Sequence, residues 1–517
     1  MNGGKHGSEN VVIIDCGSQL TQLIARRVRE MKTHSVVLPW DADAGRVRDA
    51  APKGVIISGG PDSVNDEGAI RVDEDVFALG VPVLGICYGM QLMAKCLGGE
   101  VSAGERPEYG VTPIETDEAS PLFRGLPREF EVVMSHGDRV SALPPGFRAT
   151  AWTRGEGLAA AMENAERRLF GLQFHPEVVH TQNGDKILGR FLFDLCGCRG
   201  DWDLGGWIDR TIGEIGAKVG SESVICGLSG GVDSSVAAAL VHRAIGDRLR
   251  CVFVDHGLLR LNEAAEVRAS YEGMGLSVSY VDASDAFLSR LSGVTDPERK
   301  RKIIGELFIS VFEEEASRIA SAQWLLQGTI YPDVIESGGK RKGSAVIKSH
   351  HNVGGLPERM NLKLLEPLRD LFKDEVREIG RLLDVPAAIV DRQPFPGPGL
   401  AVRCLGEVTR ERLDVLRAAD AIFREELERF GLYGGIWQSF CVLLPVRTVG
   451  VMGDGRTYSE VAALRAVNSA DAMTAEWTRL PPELLDCASK RICNEVRGVN
   501  RVVLDITSKP PATIEWE

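Results

Sequence analysis

Short apolar runs alternate with amphipathic stretches over the first part of the chain. The runs have the length and β-branched content of buried strands, and a stretch with helical spacing of its apolar positions follows the first run. Strands that alternate with helices predict a parallel α/β sheet. The predicted strands span 11–15, 36–38, 54–57 and 81–86, and the predicted helix spans 19–32.

The alternation is interrupted once and then begins again. A stretch that contains glycine and tryptophan, 197–207, is typical of a linker between domains. Beyond it, strand-like, helix-like and strand-like runs follow at 223–228, 234–245 and 250–254. These runs predict a second α/β domain.

The pattern changes after Arg392. A stretch dense in proline and glycine is followed by a long charged helix, 409–430, and then by separate strand-like runs at 440–445, 448–452 and 501–506. At roughly 150 residues per domain, a chain of 517 residues suits three domains. The sequence therefore predicts two doubly wound α/β domains followed by a smaller α+β domain. The predicted domains span 9–199, 205–391 and 392–517.

The net charge of the chain bears on whether it binds nucleic acid. A formal net charge of −13 argues against a broad nucleic-acid-binding surface, because such binding depends on Lys and Arg that neutralise phosphates. We therefore expect no nucleic acid among the partners. Two short basic runs, 299–302 and 340–342, are either small phosphate-facing patches or solvated helix faces and loops.

Composition also bears on the compartment. No run of 18 apolar residues is present and the N-terminal segment lacks the apolar core of a signal peptide, so we expect no membrane partner. The eleven cysteines include no CxxC pair and no zinc-ligand spacing, which favours reduced thiols. These features predict a cytoplasmic location.

A cysteine stands between two glycines at the end of a predicted strand. In Gly85-Ile86-Cys87-Tyr88-Gly89, the glycines allow the tight strand-to-helix turn of a nucleophile elbow. A helix N-terminus beside the sulfur favours its thiolate. The pattern predicts that Cys87 is a catalytic nucleophile.

Two further segments complete the predicted site. In an extended segment residues two apart point to the same side, so Glu177 can orient the ring of His175 while the ring acts as base for Cys87. The loop Ser58-Gly59-Gly60-Pro61 follows another strand, and the backbone N–H groups of Gly60 and Tyr88 are candidates for an oxyanion hole. Together they predict acyl transfer through a Cys-His-Glu triad.

The segments SGGP, GICYGMQ and HPE, in this order along the chain, resemble the class I glutamine amidotransferase family. The resemblance implies that Cys87 forms a thioester with the carboxamide carbon of glutamine and that ammonia is released.

A second glycine- and serine-rich loop connects a predicted strand to a helix. Its glycines let backbone N–H groups surround a phosphate, its hydroxyls add donors, and the helix N-terminus adds favourable potential. The loop lacks the Gly-Lys-Ser/Thr of a Walker A motif. It resembles the PP-loop of ATP pyrophosphatases, and the resemblance implies that ATP is cleaved between the α and β phosphates and that Asp233 helps to bind Mg²⁺. The loop comprises Ser229, Gly230, Gly231, Val232, Asp233, Ser234 and Ser235.

Four more segments, at 327–333, 349–357, 394–400 and 509–517, closely resemble the glutamine-hydrolysing GMP synthase family, and the likeness extends over essentially the whole chain. It implies a ligase in which XMP is adenylylated by ATP and then aminated to GMP. It also implies a homodimer built through the third domain. By the same resemblance Lys373 contacts ATP phosphates, and the XMP-binding residues are Arg403, Gln438, Lys509, Thr513, Ile514 and Glu515.

Two other functions are compatible with parts of the sequence pattern. PP-loops also occur in enzymes that modify tRNA, but the negative net charge and the absence of a close cysteine pair in the second domain argue against that class. A non-catalytic nucleotide sensor is disfavoured because Cys87, His175, Glu177 and Asp233 are all present. A glutaminase assay separates this alternative from an enzyme.

Overall fold

A computed structural model describes residues 9–155, 157–319, 322–338, 362–452, 455–469 and 474–517. The chain divides into two compact units, Met1–Asp203 and Leu204–Glu517. A helix begins at Leu204 and buries Leu204, Trp207 and Ile208, so the end of the predicted linker is helical. No helix in the described part of the chain is long and apolar enough to cross a membrane.

The first unit contains one sheet of nine strands in the order β2-β1-β3-β4-β9-β8-β7-β5-β6. The strands are β1 Asn10–Asp15, β2 His34–Pro39, β3 Pro52–Ile57, β4 Val83–Ile86, β5 Glu100–Thr116, β6 Glu129–Ala142, β7 Arg148–Thr153, β8 Ala159–Asn164 and β9 Leu169–Leu172. The helices are α1 Thr21–Glu30, α2 Ala44–Asp49, α3 Tyr88–Cys96 and α4 Gly184–Gly189.

The α/β class is confirmed, but this sheet is mixed. The pairs that link β2, β1, β3, β4 and β9 are parallel, whereas β8, β7, β5 and β6 extend the sheet through antiparallel pairs. The sequence predicted the parallel strands because a strand such as β1 is apolar along Val11–Ile14, where it is buried on both faces. In β6 buried and exposed positions alternate, which is typical of a strand with one solvated face.

The second unit begins with a sheet of five parallel strands in the order β12-β11-β10-β13-β14. The strands are β10 Ser223–Leu228, β11 Leu249–Asp255, β12 Val278–Asp282, β13 Ala322–Leu326 and β14 Lys363–Leu365. The helices are α5 Leu204–Val219, α6 Val232–Ile245, α7 Glu263–Gly273, α8 Ser284–Leu291, α9 Pro297–Arg318, α10 Tyr331–Gly338, α11 Lys373–Leu382 and α12 Ala387–Val390.

The remainder of the second unit adds a small sheet and two helices. The elements are α13 Arg410–Arg429, β15 Gln438–Met452, β16 Gly455–Asn468, β17 Glu476–Trp477, α14 Pro482–Glu495 and β18 Val499–Leu504. The predicted strands 440–445 and 448–452 form one strand, β15, whose pairing with β16 shifts register between Leu444 and Thr448. Pro445 lies in that interruption, because proline cannot donate to the ladder.

One apolar core joins the parallel sheet to the small sheet. It includes Ile225 on β10, Val252 on β11, Phe423 on α13 and Leu464 on β16, all nearly inaccessible to solvent. The stretch after Leu204 is therefore one compact unit, and its division at 391/392 stays a prediction.

Candidate active sites

Cys87 lies at a strained turn between β4 and α3. Its φ is 52° and its ψ is −106°, in the sparsely populated region where nucleophile elbows place their reactive residue. Glycines on either side make the turn possible. A Cβ at Gly85 would lie 2.5 Å from the carbonyl of Gly89, and a Cβ at Gly89 would lie 2.3 Å from the carbonyl of Ile57.

The structure brings His175 and Glu177 to Cys87. Nδ1 of His175 is 2.8 Å from Oε1 of Glu177, and both side chains are buried. Burial lowers the pKa of His175, but the Glu177 carboxylate and a hydrogen bond with Cys87 outweigh burial and raise it to about 10. The geometry thus supports an imidazolium beside the sulfur.

The Ser58–Pro61 loop lies against both parts of this site. A Cβ at Gly59 would lie 3.2 Å from Cε1 of His175. A Cβ at Gly60 would lie 2.9 Å from Cγ of Tyr88, so only glycine lets the loop approach the first residue of α3 this closely. Gly60 and Tyr88, the two predicted oxyanion donors, are therefore neighbours.

Sequence reasoning missed further polar groups that lie near the sulfur of Cys87. Sγ of Cys87 lies 3.6 Å from the carbonyl of Ser135 on β6 and 3.8 Å from Nε2 of Gln173. Gln91 donates to the carbonyl of Asp138 at 2.8 Å. Gln91 lies one helical turn after Cys87 and Gln173 lies two residues before His175, so their spacing was a usable signal. No sequence signal points to Ser135.

The PP-loop connects β10 to α6 and is held by its own hydroxyls. Oγ of Ser229 is 3.1 Å from Oγ of Ser234 and accepts the N–H of Gly231 at 3.3 Å. Ser235 donates to the carbonyl of Gly231 at 2.7 Å and bonds the hydroxyl of Tyr271 at 2.9 Å. Gly230 has a φ of 74°, a conformation that favours glycine.

Asp233 lies in the first turn of α6 and forms an ion pair with Lys373 at the start of α11. Its other oxygen, Oδ1, is buried and has no hydrogen-bond partner among the described residues. Gly328 packs directly on the backbone of Asp233, since a Cβ at Gly328 would lie 2.9 Å from that backbone.

Within the described ranges no group of three or more His, Cys, Asp or Glu is arranged to hold a metal ion.

Three of the predicted XMP residues form one cluster, in which Arg403 and Gln438 are buried and Glu515 is partly exposed. Arg403 is fully buried and donates to both carboxylate oxygens of Glu515, at 3.0 and 2.8 Å. Gln438 donates to the same carboxylate at 2.8 Å. The guanidinium of Arg403 also stacks on Phe440 and Phe395, 4.0 and 5.1 Å from the ring centroids. The structure thus pairs Arg403 and Gln438 with Glu515.

The C-terminal segment is tied to the small sheet by an arginine that the sequence did not reveal. Arg465 on β16 is fully buried and donates to the carbonyls of Ile514 and Thr513, at 3.0 and 2.8 Å. Lys509 forms a backbone bridge with Ala475, with its N–H 2.7 Å from that carbonyl. Ile514 also packs in an apolar cluster with Phe440 on β15 and Val467 on β16, so the end of this segment lies against a face of the small sheet.

One of the two basic runs lies within the described residues. In the run 299–302, Lys300 is fully buried and bonds Glu517 at 2.5 Å, so this part of the run is neither a phosphate patch nor a solvated face. The run 340–342 and the segment 349–357 lie outside the described residues.

Comparison with known proteins agrees with the geometry. The chain matches three sequence families: "Glutamine amidotransferase class-I" over residues 12–195, "NAD synthase" over 207–299 and "GMP synthase C terminal domain" over 425–516. Together with the cysteine elbow and the PP-loop, these matches define a glutamine amidotransferase joined to an ATP pyrophosphatase.

Curated relatives narrow this class. The chain is 58% identical to "GMP synthase [glutamine-hydrolyzing]" of Paraburkholderia phytofirmans, covering 98% of this chain and 100% of that protein. Proteins of the same name from Aquifex aeolicus and Clostridium botulinum (strain Hall) are 55% and 56% identical, with 98% of this chain and 99% of each relative covered. The chain belongs to the glutamine-hydrolysing GMP synthase family, a family of ligases that use ATP.

Proposed function

We propose that Cys87, His175 and Glu177 perform the glutamine half of the reaction. The sulfur attacks the carboxamide carbon, the C–N bond breaks, and the leaving nitrogen takes a proton from His175 to depart as ammonia. Water then cleaves the thioester to glutamate and restores the thiol. The observation that carries this proposal is the elbow at Cys87 with the His175–Glu177 contact at 2.8 Å.

The N–H groups of Gly60 and Tyr88 stabilise the oxyanion in this proposal. Support comes from their proximity, which places the SGGP loop beside the N-terminus of α3. Glu177 keeps the ring of His175 oriented and its imidazolium charge neutralised, because its carboxylate is buried against Nδ1.

The PP-loop, Ser229 to Ser235, holds the ATP phosphates, with Lys373 as a further cation. A base oxygen of XMP attacks the α phosphorus, the bond to the bridging oxygen breaks, and pyrophosphate leaves. Ammonia then displaces AMP to give GMP.

Asp233 fits a role in Mg²⁺ binding. Its buried Oδ1 has no partner among the described residues, and one carboxylate with substrate phosphates is a usual way for proteins to bind this ion. Bound Mg²⁺ neutralises phosphate charge. The ion pair of Asp233 with Lys373 places a cation beside this carboxylate at the loop.

Arg403, Gln438, Lys509, Thr513, Ile514 and Glu515 form the proposed XMP site. Support comes from the cluster around Glu515 and from Nη1 of Arg403, a buried donor without a hydrogen-bond partner in the described part of the chain. An acceptor on the nucleotide would satisfy that donor.

The small sheet is the proposed dimer interface. Val449 and Val451 on β15 and Tyr458 on β16 are 49%, 76% and 64% exposed, and Val449 is paired directly with Tyr458. Exposed apolar side chains on paired strands mark interaction surfaces, and a second copy of the chain is the proposed occupant.

The eleven free cysteines suit a reducing compartment, for which we propose the cytoplasm.

The test is product analysis with XMP, ATP, Mg²⁺ and either glutamine or ammonia. AMP and pyrophosphate in equal amounts with GMP are expected, whereas ADP would contradict the pyrophosphatase assignment.

Asp233→Asn should remove synthesis with both nitrogen donors, because the phosphate charge must be neutralised in either case. Near-normal ammonia-dependent turnover of this variant would show that Asp233 does not bind the metal.

A further inference from the structure

Lys300 is a charged side chain that lies fully buried outside the residues assigned to either reaction. It lies in the first turns of α9, and its exposed fraction is 0%. A buried ammonium is stable only when its charge is neutralised and its three donors are used. The partners of Lys300 therefore indicate its role.

Those partners come from two segments distant in sequence. Nζ of Lys300 donates to the carbonyls of Ala401 and Cys404, at 3.2 and 3.0 Å, and to Oε2 of Glu517 at 2.5 Å. The neighbouring Arg301 donates to the backbone oxygen of Glu517 at 2.5 Å. The start of α9 thus holds residue 517 by its side chain and by its backbone.

Both segments carry proposed XMP residues. Ala401 and Cys404 flank Arg403 in the chain, and Glu517 lies two residues beyond Glu515. Arg403, which is fully buried, and Glu515 form the ion pair of the proposed XMP site. One ammonium group therefore fixes the backbone of the turn that carries the arginine and the end of the segment that carries the carboxylate.

We propose that Lys300 and Glu517 form an anchor that positions the Arg403–Glu515 pair for XMP. This inference rests on the proposed XMP site. Lys300 is a positioning residue, because it acts through Arg403 and Glu515. Removal of Lys300 alone would leave the part-buried carboxylate of Glu517 without its cation.

The test is the Michaelis constant for XMP in ammonia-dependent GMP synthesis, which bypasses the glutamine site. Glu517→Gln keeps the shape of the side chain and removes its charge. We expect the KM for XMP to rise roughly tenfold, as for loss of one charge-assisted bond, while the KM for ATP changes by less than about twofold. Glu517→Asp, which keeps the charge, should fall closer to the wild type. Asp486→Asn, which breaks an exposed pair with Lys490 on α14, is the matched control and should change neither constant.

Lys300→Met is the second variant, and it should raise the KM for XMP in the same way if it folds. An unchanged KM for XMP in folded Glu517→Gln overturns the inference, and so does an equal rise in both Michaelis constants. Glu515→Gln distinguishes failure of the proposed XMP site from failure of the anchor. If it leaves the KM for XMP unchanged, the proposed XMP site is wrong. If it raises that KM while Glu517→Gln does not, only the anchor is wrong.

Discussion

At the scale of single residues, Cys87 combines an unfavourable backbone conformation with a buried position. Its φ of 52° costs free energy that the surrounding packing must offset, and such strain is typical of functional sites. The pKa of the neighbouring His175 is raised in part by its hydrogen bond with this sulfur. The chemistry proposed for the first unit thus depends on the placement of a few atoms around Cys87.

Cys87→Ala should abolish glutamine-dependent GMP synthesis and leave ammonia-dependent synthesis near that of the wild type. The reason is that only the nitrogen source requires the nucleophile. Both activities are measured by GMP formation, with free ammonia at high concentration for the second. Loss of both activities in a folded variant would contradict the division into two sites.

The Glu177–His175 pair should make stability depend on pH in a defined direction. The pKa of His175 in the folded protein is about 10, above its ordinary 6.5, so protonation stabilises the folded state. This stabilisation is complete below about pH 6.5, declines as pH rises from there, and is lost above about pH 10.

Glu177→Gln removes the main group that raises this pKa. We expect the difference in Tm between wild type and variant to be largest near about pH 6 and to shrink toward about pH 10. Thermal unfolding of the first unit, followed across this pH range, checks it. A difference that grows with pH would have the wrong sign for this pair.

At the scale of elements, α3 packs on the sheet through glycine. Gly89 faces the carbonyl of Ile57 so closely that any side chain would push the helix away from β3. Because Cys87 lies just before this helix, the contact determines where the sulfur lies. Close packing of helix on sheet therefore sets the geometry of the proposed nucleophile.

Gly89→Ala should destabilise the first unit by about 1–3 kcal/mol and sharply reduce glutamine hydrolysis, since the added methyl overpacks the contact. Ammonia-dependent synthesis should persist. Gly213→Ala in α5 is the matched control, because a Cβ there meets nothing within 4 Å and alanine favours the helix. Denaturant unfolding and glutaminase rates measure both effects. Equal behaviour of the two variants would mean that the packing contact is unimportant.

At the scale of the whole molecule, the small sheet leaves apolar side chains in solvent. Val451 and Tyr458 are among the most exposed large apolar residues of the described chain. A stable interface formed by two copies would bury them, and a two-fold axis would pair the same surface on each copy.

The variant Val449→Asp with Tyr458→Asp should therefore shift the protein from a dimer to a monomer of 56.2 kDa. Sedimentation equilibrium measures the mass directly. Val111→Asp, at an exposed position on β5, is the control and should leave the mass unchanged. A wild-type protein that sediments as a monomer at micromolar concentration would contradict the proposed interface.

The sequence by itself determined the local chemistry and the elements that bear it. Cys87 with its glycines, the His175–Glu177 spacing and the PP-loop are short-range patterns, so the chain reveals them directly. Buried strands such as β1 and β10 were predicted for the same reason, because parallel strands covered on both faces are continuously apolar.

Only the tertiary structure decided what depends on contacts between distant segments. Among the antiparallel strands, β6 has one solvated face and β8 is buried but consists mainly of alanine, which has a low preference for strands, so their pairing could not be predicted locally. Lys300 and Arg465 look like ordinary surface charges in the sequence, and Arg403 was expected only from a family resemblance, yet all three are buried. Their burial is possible because carboxylates and carbonyls far along the chain satisfy them, and that information exists only once the chain has folded.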